Sequence, residues 1–164
     1  MNVRHVIEDN FSEITEILNH YILHSDARYF ESVPVSLSDR KSWLYTFNQQ
    51  TPYQMLVAVS NGEVLGFCCS QKYRPEPAYN KTVEVSVYIS PKSTSAGVGT
   101  SLYDTLFKSL ESFDLHRAVA GIALPNVASL AFHHKFGFTE VGTFDEYGVK
   151  DGRFISATWL QKKL

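Results

Sequence analysis

The segment from Thr82 to Leu124 limits the possible folds most, because it places one helix pattern between two strand patterns. Residues 82–89 alternate apolar and polar side chains with a period of two, which predicts a strand with one aliphatic face. Residues 97–113 carry apolar side chains at helical spacing, and residues 117–124 form a short apolar run that predicts another strand. This order indicates a βαβ unit, so we predict an α/β fold.

Two helices and a hairpin are predicted ahead of this unit. Residues 12–23 have apolar side chains on one helix face, and a second helix begins near the capping residues 36–39. The β-rich runs 53–60 and 63–73 flank Asn61-Gly62, a turn pair that favours positive φ and predicts a hairpin. The second helix is predicted to have one side formed by Leu37, Arg40, Leu44 and Phe47.

A helix over residues 126–136 and two strands, near 138–144 and 153–161, are predicted to close the chain. The complete order predicts a single sheet of mixed direction with helices on both faces. We find no repeat with a period of about 20–50 residues and no linker-like stretch, so residues 1–164 are expected to form a single domain. The helical spacing of the last helix runs through Val127, Leu130, Ala131 and His134.

Charge and hydropathy exclude several classes of partner. The chain has 15 basic and 17 acidic side chains, without the basic excess that binding to a phosphate backbone requires. No apolar run approaches the roughly 18 residues of a membrane span, and the N-terminus lacks a signal-peptide core. We therefore expect a cytoplasmic protein that binds neither nucleic acid nor membranes. Cys68 and Cys69 point to opposite faces of a predicted strand, so we expect reduced core thiols.

The turn Gly97-Val98-Gly99 joins the strand at 82–89 to the helix that follows. Glycine allows the backbone to curl tightly, and the amides at a helix N-terminus favour a phosphate or pyrophosphate. The turn lacks both the GK[ST] ending of a P-loop and the longer glycine pattern of a dinucleotide fold. On this feature alone, an ordinary turn and an anion-binding loop both stay open.

Seven short blocks occur in a characteristic order along the chain. They are Asn19-His20-Tyr21-Ile22, Ala78-Tyr79, Thr82-Val83-Glu84, Val87-Tyr88-Ile89-Ser90-Pro91, Gly97-Val98-Gly99-Thr100-Ser101-Leu102-Tyr103, Leu124-Pro125-Asn126, and Ser129 with His133. In this order they resemble the GNAT superfamily of acyl-CoA-dependent N-acetyltransferases, and within it the phosphinothricin acetyltransferase family. The resemblance covers about residues 4–160. It implies a GNAT fold, with a mixed, mostly antiparallel sheet that has splayed strands.

The resemblance also implies acetyl-CoA as the co-substrate, in the gap between the splayed strands. Its pantetheine arm would pair with the backbone of Val87, Tyr88 and Ile89. Asn126 would contact the pantetheine region or shape the start of the last helix, and it equally suits an N-cap. The family usually has Gln or Arg where this chain has Thr94, which removes a long donor from the loop. The pyrophosphate would lie on the amides of Ser95, Ala96, Gly97, Val98, Gly99 and Thr100.

Glu84 matches the family glutamate proposed as general base, and His133 matches a histidine thought to assist proton transfer. A carboxylate with a pKa of about 4.3 is a weak base unless burial raises its pKa or water relays the proton. A solvated strand residue is the plain alternative for Glu84, and a packing role is the alternative for His133. His20 and His24 are four residues apart but lack a third ligand, so we expect no metal.

The resemblance implies that the acceptor is the primary amine of a small molecule, which attacks the thioester directly. Glu76 stands where relatives commonly carry arginine, so we expect one negative group fewer than phosphinothricin has, as in a free amino acid. A homodimer is also implied. Two alternatives stay open: the acceptor is the amine of a protein, a peptide or an antibiotic, or the protein is a non-catalytic sensor that binds acyl-CoA. We expect the acceptor pocket to be formed by Tyr21, Tyr29, Phe30 and Tyr79, with Arg74 and Arg153 as candidates to hold a carboxylate.

Overall fold

Seven strands and four helices make up the computed structural model, which describes residues 1–93 and 96–164. The strands are β1 (Asn2–His5), β2 (Met55–Ser60), β3 (Glu63–Lys72), β4 (Thr82–Ile89), β5 (Arg117–Ala123), β6 (Thr139–Lys150) and β7 (Arg153–Lys163). The helices are α1 (Phe11–His24), α2 (Leu37–Leu44), α3 (Val98–Leu110) and α4 (Val127–Lys135).

The strands form one sheet in the order β1-β2-β3-β4-β5-β7-β6. Among the described strands, β4 and β5 run parallel and every other neighbouring pair runs antiparallel. The parallel pair is joined through α3, as expected of a βαβ unit, because parallel neighbours require a crossover connection. The prediction of a mixed, mostly antiparallel sheet is therefore confirmed.

Helices cover both faces of the sheet, also as predicted. On one face, Leu102, Leu106 and Leu110 of α3 pack against β-strand residues, together with aromatic side chains of α4. On the other face, Ile14 and Leu18 of α1 form a second apolar cluster with residues of β2 and β3. Alternation along a strand sends neighbouring side chains to opposite faces, so β2 and β3 contribute to both clusters.

Cys68 and Cys69 illustrate this alternation. Cys68 belongs to the cluster under α3 and Cys69 to the cluster under α1, and both are free and at most 1% exposed. Burial raises the pKa of Cys69 to about 11, which removes the reactive thiolate at neutral pH. The prediction of reduced core thiols is confirmed.

Several boundaries differ from those that the sequence predicts. β1 was not predicted, because its four residues are too short to show a period. β6 and β7 extend further than predicted and meet at Asp151-Gly152, where both residues have positive φ. On α4 the helix is confirmed, but the residues at the predicted spacing do not form its buried side: Val127 is 79% exposed and His134 is exposed, whereas His133 is buried. Among the described residues, no helix combines the length and the apolar character needed to cross a lipid bilayer.

Candidate active site

β4 and β5 pair over only three residues each and then separate. Their register runs from Thr82↔Arg117 to Glu84↔Val119, and no further pair joins them among the described residues. Beyond Glu84 the strands border a cavity of about 310 Å³, whose walls include residues 85–89 of β4 and 120–123 of β5. We call this cavity the strand gap. Because β4 pairs with β3 on its other side, the backbone groups that face β5 are left open to a ligand.

The strand gap is closed at its sides by α1 and α4. The hydroxyl of Tyr21 on α1 donates to the carbonyl oxygen of Ile89 at 2.9 Å, which fixes the far end of β4. Phe132 of α4 lines the gap and lies close to α3: a Cβ added at Gly99 would lie 3.3 Å from Cε2 of Phe132. A side chain larger than that of glycine at position 99 would therefore press against the ring of Phe132.

α3 begins beside the strand gap with an N-terminus that carries no side-chain cap. Gly97 is the N-cap residue, with a φ of 80°, a left-handed conformation that glycine adopts without strain. No side chain of the described residues caps the first amides of α3, so these amides are available to an anion. Ser95 and Thr94 lie outside the described residues. Strand gap and helix end together suit a long ligand with an amide-bearing arm and a phosphate group.

Glu84 lies where the pairing of β4 and β5 ends. Its side chain is on the face of β4 opposite to the buried Val83 and Val85. Burial raises the pKa of the Glu84 carboxyl, although a hydrogen bond from Gln71 and the charge of Arg74 oppose this shift. A carboxylate with a raised pKa is a stronger base than an exposed one, as the proposed role requires.

Gln71 holds Glu84 from the neighbouring strand. The two residues are directly opposite in the β3–β4 register. The indole Nε1 of Trp43 donates to Oε1 of Gln71 at 3.2 Å, so the amide nitrogen of Gln71 is the group left to donate to the Glu84 carboxyl. Gln71 was not predicted as a site residue, because a single polar residue at the end of a strand carries no distinctive signal.

A second cavity, of about 350 Å³, contains Glu84 in its wall, and we call it the acceptor cavity. Ser86, Tyr88 and Gly121 line both this cavity and the strand gap, so the two adjoin. Tyr29 and Phe30, two predicted pocket residues, also line the acceptor cavity. The hydroxyl of Tyr29 is hydrogen-bonded to that of Tyr147, which ties this wall to β6.

Two arginines of the acceptor cavity were not predicted as site residues. Arg28 is 8% exposed and Arg40 is 6% exposed. Both bind Glu31: Nε of Arg28 donates to Oε2 at 2.6 Å, and Nη1 of Arg40 donates to Oε1 at 3.0 Å. A signal for Arg40 was present, because the sequence places this cation on the same side of α2 as Leu37 and Leu44. Arg28 lies in a connecting segment and has no periodic signal.

The other predicted substrate residues lie elsewhere. Tyr21 lines the strand gap rather than the acceptor cavity. Arg153 is paired with Asp26 at 2.9 Å, Arg74 lies over the ring of Tyr73, and neither lines a described cavity. Tyr79 is 37% exposed and packs on the edge of Tyr73, also outside both cavity walls.

His133 borders the strand gap but uses both ring nitrogens within the protein. Nδ1 donates to the carbonyl oxygen of Ser129 at 2.8 Å, and Nε2 accepts from the hydroxyl of Tyr103 at 3.0 Å. Burial lowers the pKa of His133, which favours the neutral ring. The geometry therefore favours a packing role over the predicted proton transfer.

Asn126 occupies the N-cap position of α4. Its side chain accepts a hydrogen bond from the backbone N–H of Ser129 at 3.1 Å, which confirms the capping interpretation. Asn126 also lines the strand gap, so contact with a ligand there is compatible with the cap. Within residues 1–93 and 96–164, no three His, Cys, Asp or Glu side chains lie together in a group that could bind a metal ion.

Comparison with known proteins agrees with this geometry. Residues 3–159 match the family described as "Acetyltransferase (GNAT) domain". The chain is 39% identical to a phosphinothricin N-acetyltransferase from Streptomyces coelicolor, over 100% of this chain and 96% of the relative. It is 34% identical to an L-methionine sulfoximine/L-methionine sulfone acetyltransferase from Salmonella typhimurium, over 100% of this chain and 95% of that protein.

A solved structure has the same fold. The Salmonella typhimurium acetyltransferase yncA, determined with its cofactor acetyl-CoA, superposes with a TM-score of 0.92 at 34% sequence identity. The superposition covers 100% of this chain and 94% of that one. The arrangement of sheet, helices and splayed strands is thus common to both proteins.

Proposed function

Because this chain belongs to the GNAT acetyltransferase family, we propose that it transfers the acetyl group of acetyl-CoA to the primary amine of a free amino acid or amino acid analogue. One observation carries the proposal: the strand gap adjoins a separate cavity that has Glu84 in its wall. The first cavity suits a long thioester ligand, and the second suits a small amine. Phosphinothricin and methionine sulfoximine are amino acid analogues, and the names of two relatives support acceptors of this kind.

The residues of the strand gap fit acetyl-CoA. Backbone groups of Val87, Tyr88 and Ile89 would bind the pantetheine arm, and amides from Ala96 to Thr100, with Ser95, would bind the pyrophosphate. When bound, acetyl-CoA supplies the activated acetyl thioester. The open edge of β4 and the uncapped start of α3 support this assignment, and the long donor missing at Thr94 is expected to affect affinity only.

Glu84 is the proposed general base. An amino group is protonated at neutral pH and must lose its proton before it becomes a nucleophile. Glu84 would take that proton, directly or through water, and Gln71 would hold the carboxyl in position. Tyr29 and Phe30 form part of the wall of the cavity that would hold the amine. His133 has no free ring nitrogen for a second proton transfer, so we assign it to packing.

We also propose that residues 1–164 act as one domain in a cytoplasmic homodimer. The β6–β7 hairpin supports the dimer, because it exposes a group of large apolar side chains at the edge of the sheet. Their exposed fractions lie between 44% and 66%. They are Val141, Phe144, Tyr147, Val149 and Phe154.

Thiol release from acetyl-CoA tests the function. The twenty common amino acids, phosphinothricin, methionine sulfone, a polyamine and a peptide amine would be offered at neutral to mildly alkaline pH. Release with one or a few amino acids, lost in Glu84→Gln, is the expected result. Release only with the peptide or polyamine would contradict the acceptor class. Acetyl-CoA binding without release for any amine would favour a sensor instead.

A further inference from the structure

Two buried guanidinium groups of the acceptor cavity share a single carboxylate. The side chains of Arg28 and Arg40 are 10% and 7% exposed, and Glu31, which binds both, is 21% exposed. The cluster therefore has two positive charges and one negative charge inside the protein. A charge without a partner is costly in such a place, so the cluster is electrostatically incomplete without an anion.

The described residues do not complete this cluster. Nε and Nη2 of Arg40 are buried and have no hydrogen-bond partner among them. The guanidinium of Arg28 lies 4.6 Å from the ring centre of Phe30, but Phe30 is itself 63% exposed, so this contact offsets only part of a charge. Glu84, the acidic residue in the described wall of the cavity, is held by Gln71. The excess positive charge at Arg28 and Arg40 is thus left for a ligand.

Arg28 has the donors to bind such a ligand. Glu31 occupies its Nε–Nη2 edge, at 2.6 Å and 2.5 Å, which leaves the Nη1 side and the second N–H of Nη2 for other acceptors. The guanidinium also interacts with the hydroxyl of Tyr88, a residue common to the walls of both cavities. Arg28 therefore lies next to a residue of the wall that the acceptor cavity shares with the strand gap.

We infer that Arg28, oriented by Glu31 and Arg40, binds the free carboxylate of the acceptor, so that the substrate class is amino acids with an unmodified carboxyl group. The inference rests on the proposed function. An amino acid zwitterion matches the cavity in charge, because its ammonium group would approach Glu84 while its carboxylate would approach Arg28. Arg28 is a substrate-binding residue in this scheme, and Arg40 is a positioning residue.

The surface arginines are weaker candidates for this role. Arg153 is 62% exposed and already bound by Asp26, and Arg74 is exposed beside Tyr73. Water screens an ion pair at such sites, whereas the low dielectric of a cavity strengthens it. A buried guanidinium also offers its donors in a fixed geometry, which suits recognition of a carboxylate.

The test compares an acid with its amide. The amino acid that turns over fastest, and L-methionine sulfone, are each assayed beside the corresponding carboxamide. We expect Arg28→Gln to lower kcat/KM for the acid about 10- to 100-fold, mainly through KM, as loss of a charged hydrogen bond predicts. The amide should change less than about threefold, because it has no carboxylate to lose. Arg28→Lys should restore part of the activity towards the acid, and Arg40→Lys should raise KM for the acid alone.

Two controls and a binding measurement separate the possible outcomes. Arg153→Gln tests the rival surface site, and Lys41→Gln removes an exposed cation next to Arg40. An equal loss for acid and amide in Arg28→Gln, or a selective loss in Arg153→Gln, would overturn the assignment. Calorimetric titration of acid and amide into the CoA complex does not require turnover. If the acid binds selectively, this binding is lost in Arg28→Gln and no amine turns over, the carboxylate site is supported and the acetyltransferase function is refuted. If acid and amide bind equally, or neither binds, the carboxylate site is refuted.

Discussion

The hydroxyl of Tyr103 and Nε2 of His133 lie 3.0 Å apart in the core beside the strand gap, where His133 is 3% exposed and Tyr103 is fully buried. The bond from Nδ1 to the Ser129 carbonyl oxygen sets the tautomer, and burial lowers the pKa of His133, which favours the neutral ring. A histidine that moves a proton during catalysis needs one ring nitrogen free to reach the reaction. The hydrogen bond therefore gives His133 a structural role, and the variant Tyr103→Phe distinguishes this role from a catalytic one.

Tyr103→Phe should destabilise the protein and leave catalysis nearly unchanged. The change removes the donor to a buried ring nitrogen, which costs about 1–3 kcal/mol of unfolding free energy. We expect kcat to change by less than about threefold, because no proton passes through the pair. Urea unfolding and steady-state kinetics measure the two effects, with Tyr45→Phe as a control that removes an exposed hydroxyl. A fall in kcat of about 100-fold at unchanged stability would instead assign His133 to proton transfer.

Glu84→Gln should lower kcat by about 100-fold or more, the usual contribution of a general base. In the unmodified protein, burial raises the pKa of Glu84, so the rate should fall as the pH drops through this raised pKa and the base becomes protonated. The acid limb of kcat/KM should lie at higher pH than the pKa of an unperturbed glutamate and be absent from the residual activity of Glu84→Gln. An acid limb that stays in place in the variant would show that another group titrates.

The same variant should be more stable than the unmodified protein at neutral pH. A carboxyl whose pKa is raised by folding destabilises the folded state once it is ionised, and this penalty is present above the raised pKa. As the pH falls through that pKa, the carboxyl becomes neutral and the advantage of glutamine should disappear. Thermal unfolding of both proteins between mildly acidic and neutral pH measures the difference. Equal melting temperatures at neutral pH would mean that Glu84 is well solvated.

Local patterns in the sequence predicted most of the fold. Asn61-Gly62 predicted the hairpin because a two-residue turn needs positive φ at both positions, and both residues have it. The position of Glu84 on the polar face of β4 followed from simple alternation. β6 was harder to delimit, because bulges near Gly142 and Gly148 interrupt its period of two.

The site was only partly predictable, because its remaining parts depend on tertiary contacts. The cluster of Arg28, Glu31 and Arg40 joins a connecting segment to α2, and no spacing rule relates residues 9 or 12 positions apart in such a setting. The choice between His133 and His134 as the buried residue depends on how α4 rotates against α3. The resemblance to a family indicated His133 as a site residue, but its environment follows from the contact with Tyr103.

Lys150→Met should destabilise the protein and weaken binding of the acceptor. Lys150 is 3% exposed, and its Nζ donates to the carbonyl oxygens of Ile22 and Ser25 at 2.6 Å each. These carbonyls are at the C-terminal end of α1, where a cation is favoured. Their loss should cost about 2–4 kcal/mol of unfolding free energy, since two charged hydrogen bonds are removed. Because Ala27 and Arg28 of the acceptor cavity lie two and three residues after Ser25, KM for the amino acid should rise more than KM for acetyl-CoA. Lys72→Met, at an exposed site, should change neither.

The exposed apolar side chains of the β6–β7 hairpin predict that charged substitutions there will prevent formation of the proposed dimer. Phe144 is 57% exposed and stacked on Tyr147, and Phe154 is 66% exposed, so burial between two copies would remove apolar surface from water. We expect Phe144→Asp with Phe154→Asp to be a monomer of unchanged fold by light scattering and circular dichroism. Ile7→Asp is the matched control, because Ile7 is 50% exposed but follows β1, at the opposite edge of the sheet.

Because Tyr147 is hydrogen-bonded to Tyr29 in the wall of the acceptor cavity, the monomer should also bind the amino acid less well. A dimer that persists in the double variant would move the interface away from this hairpin.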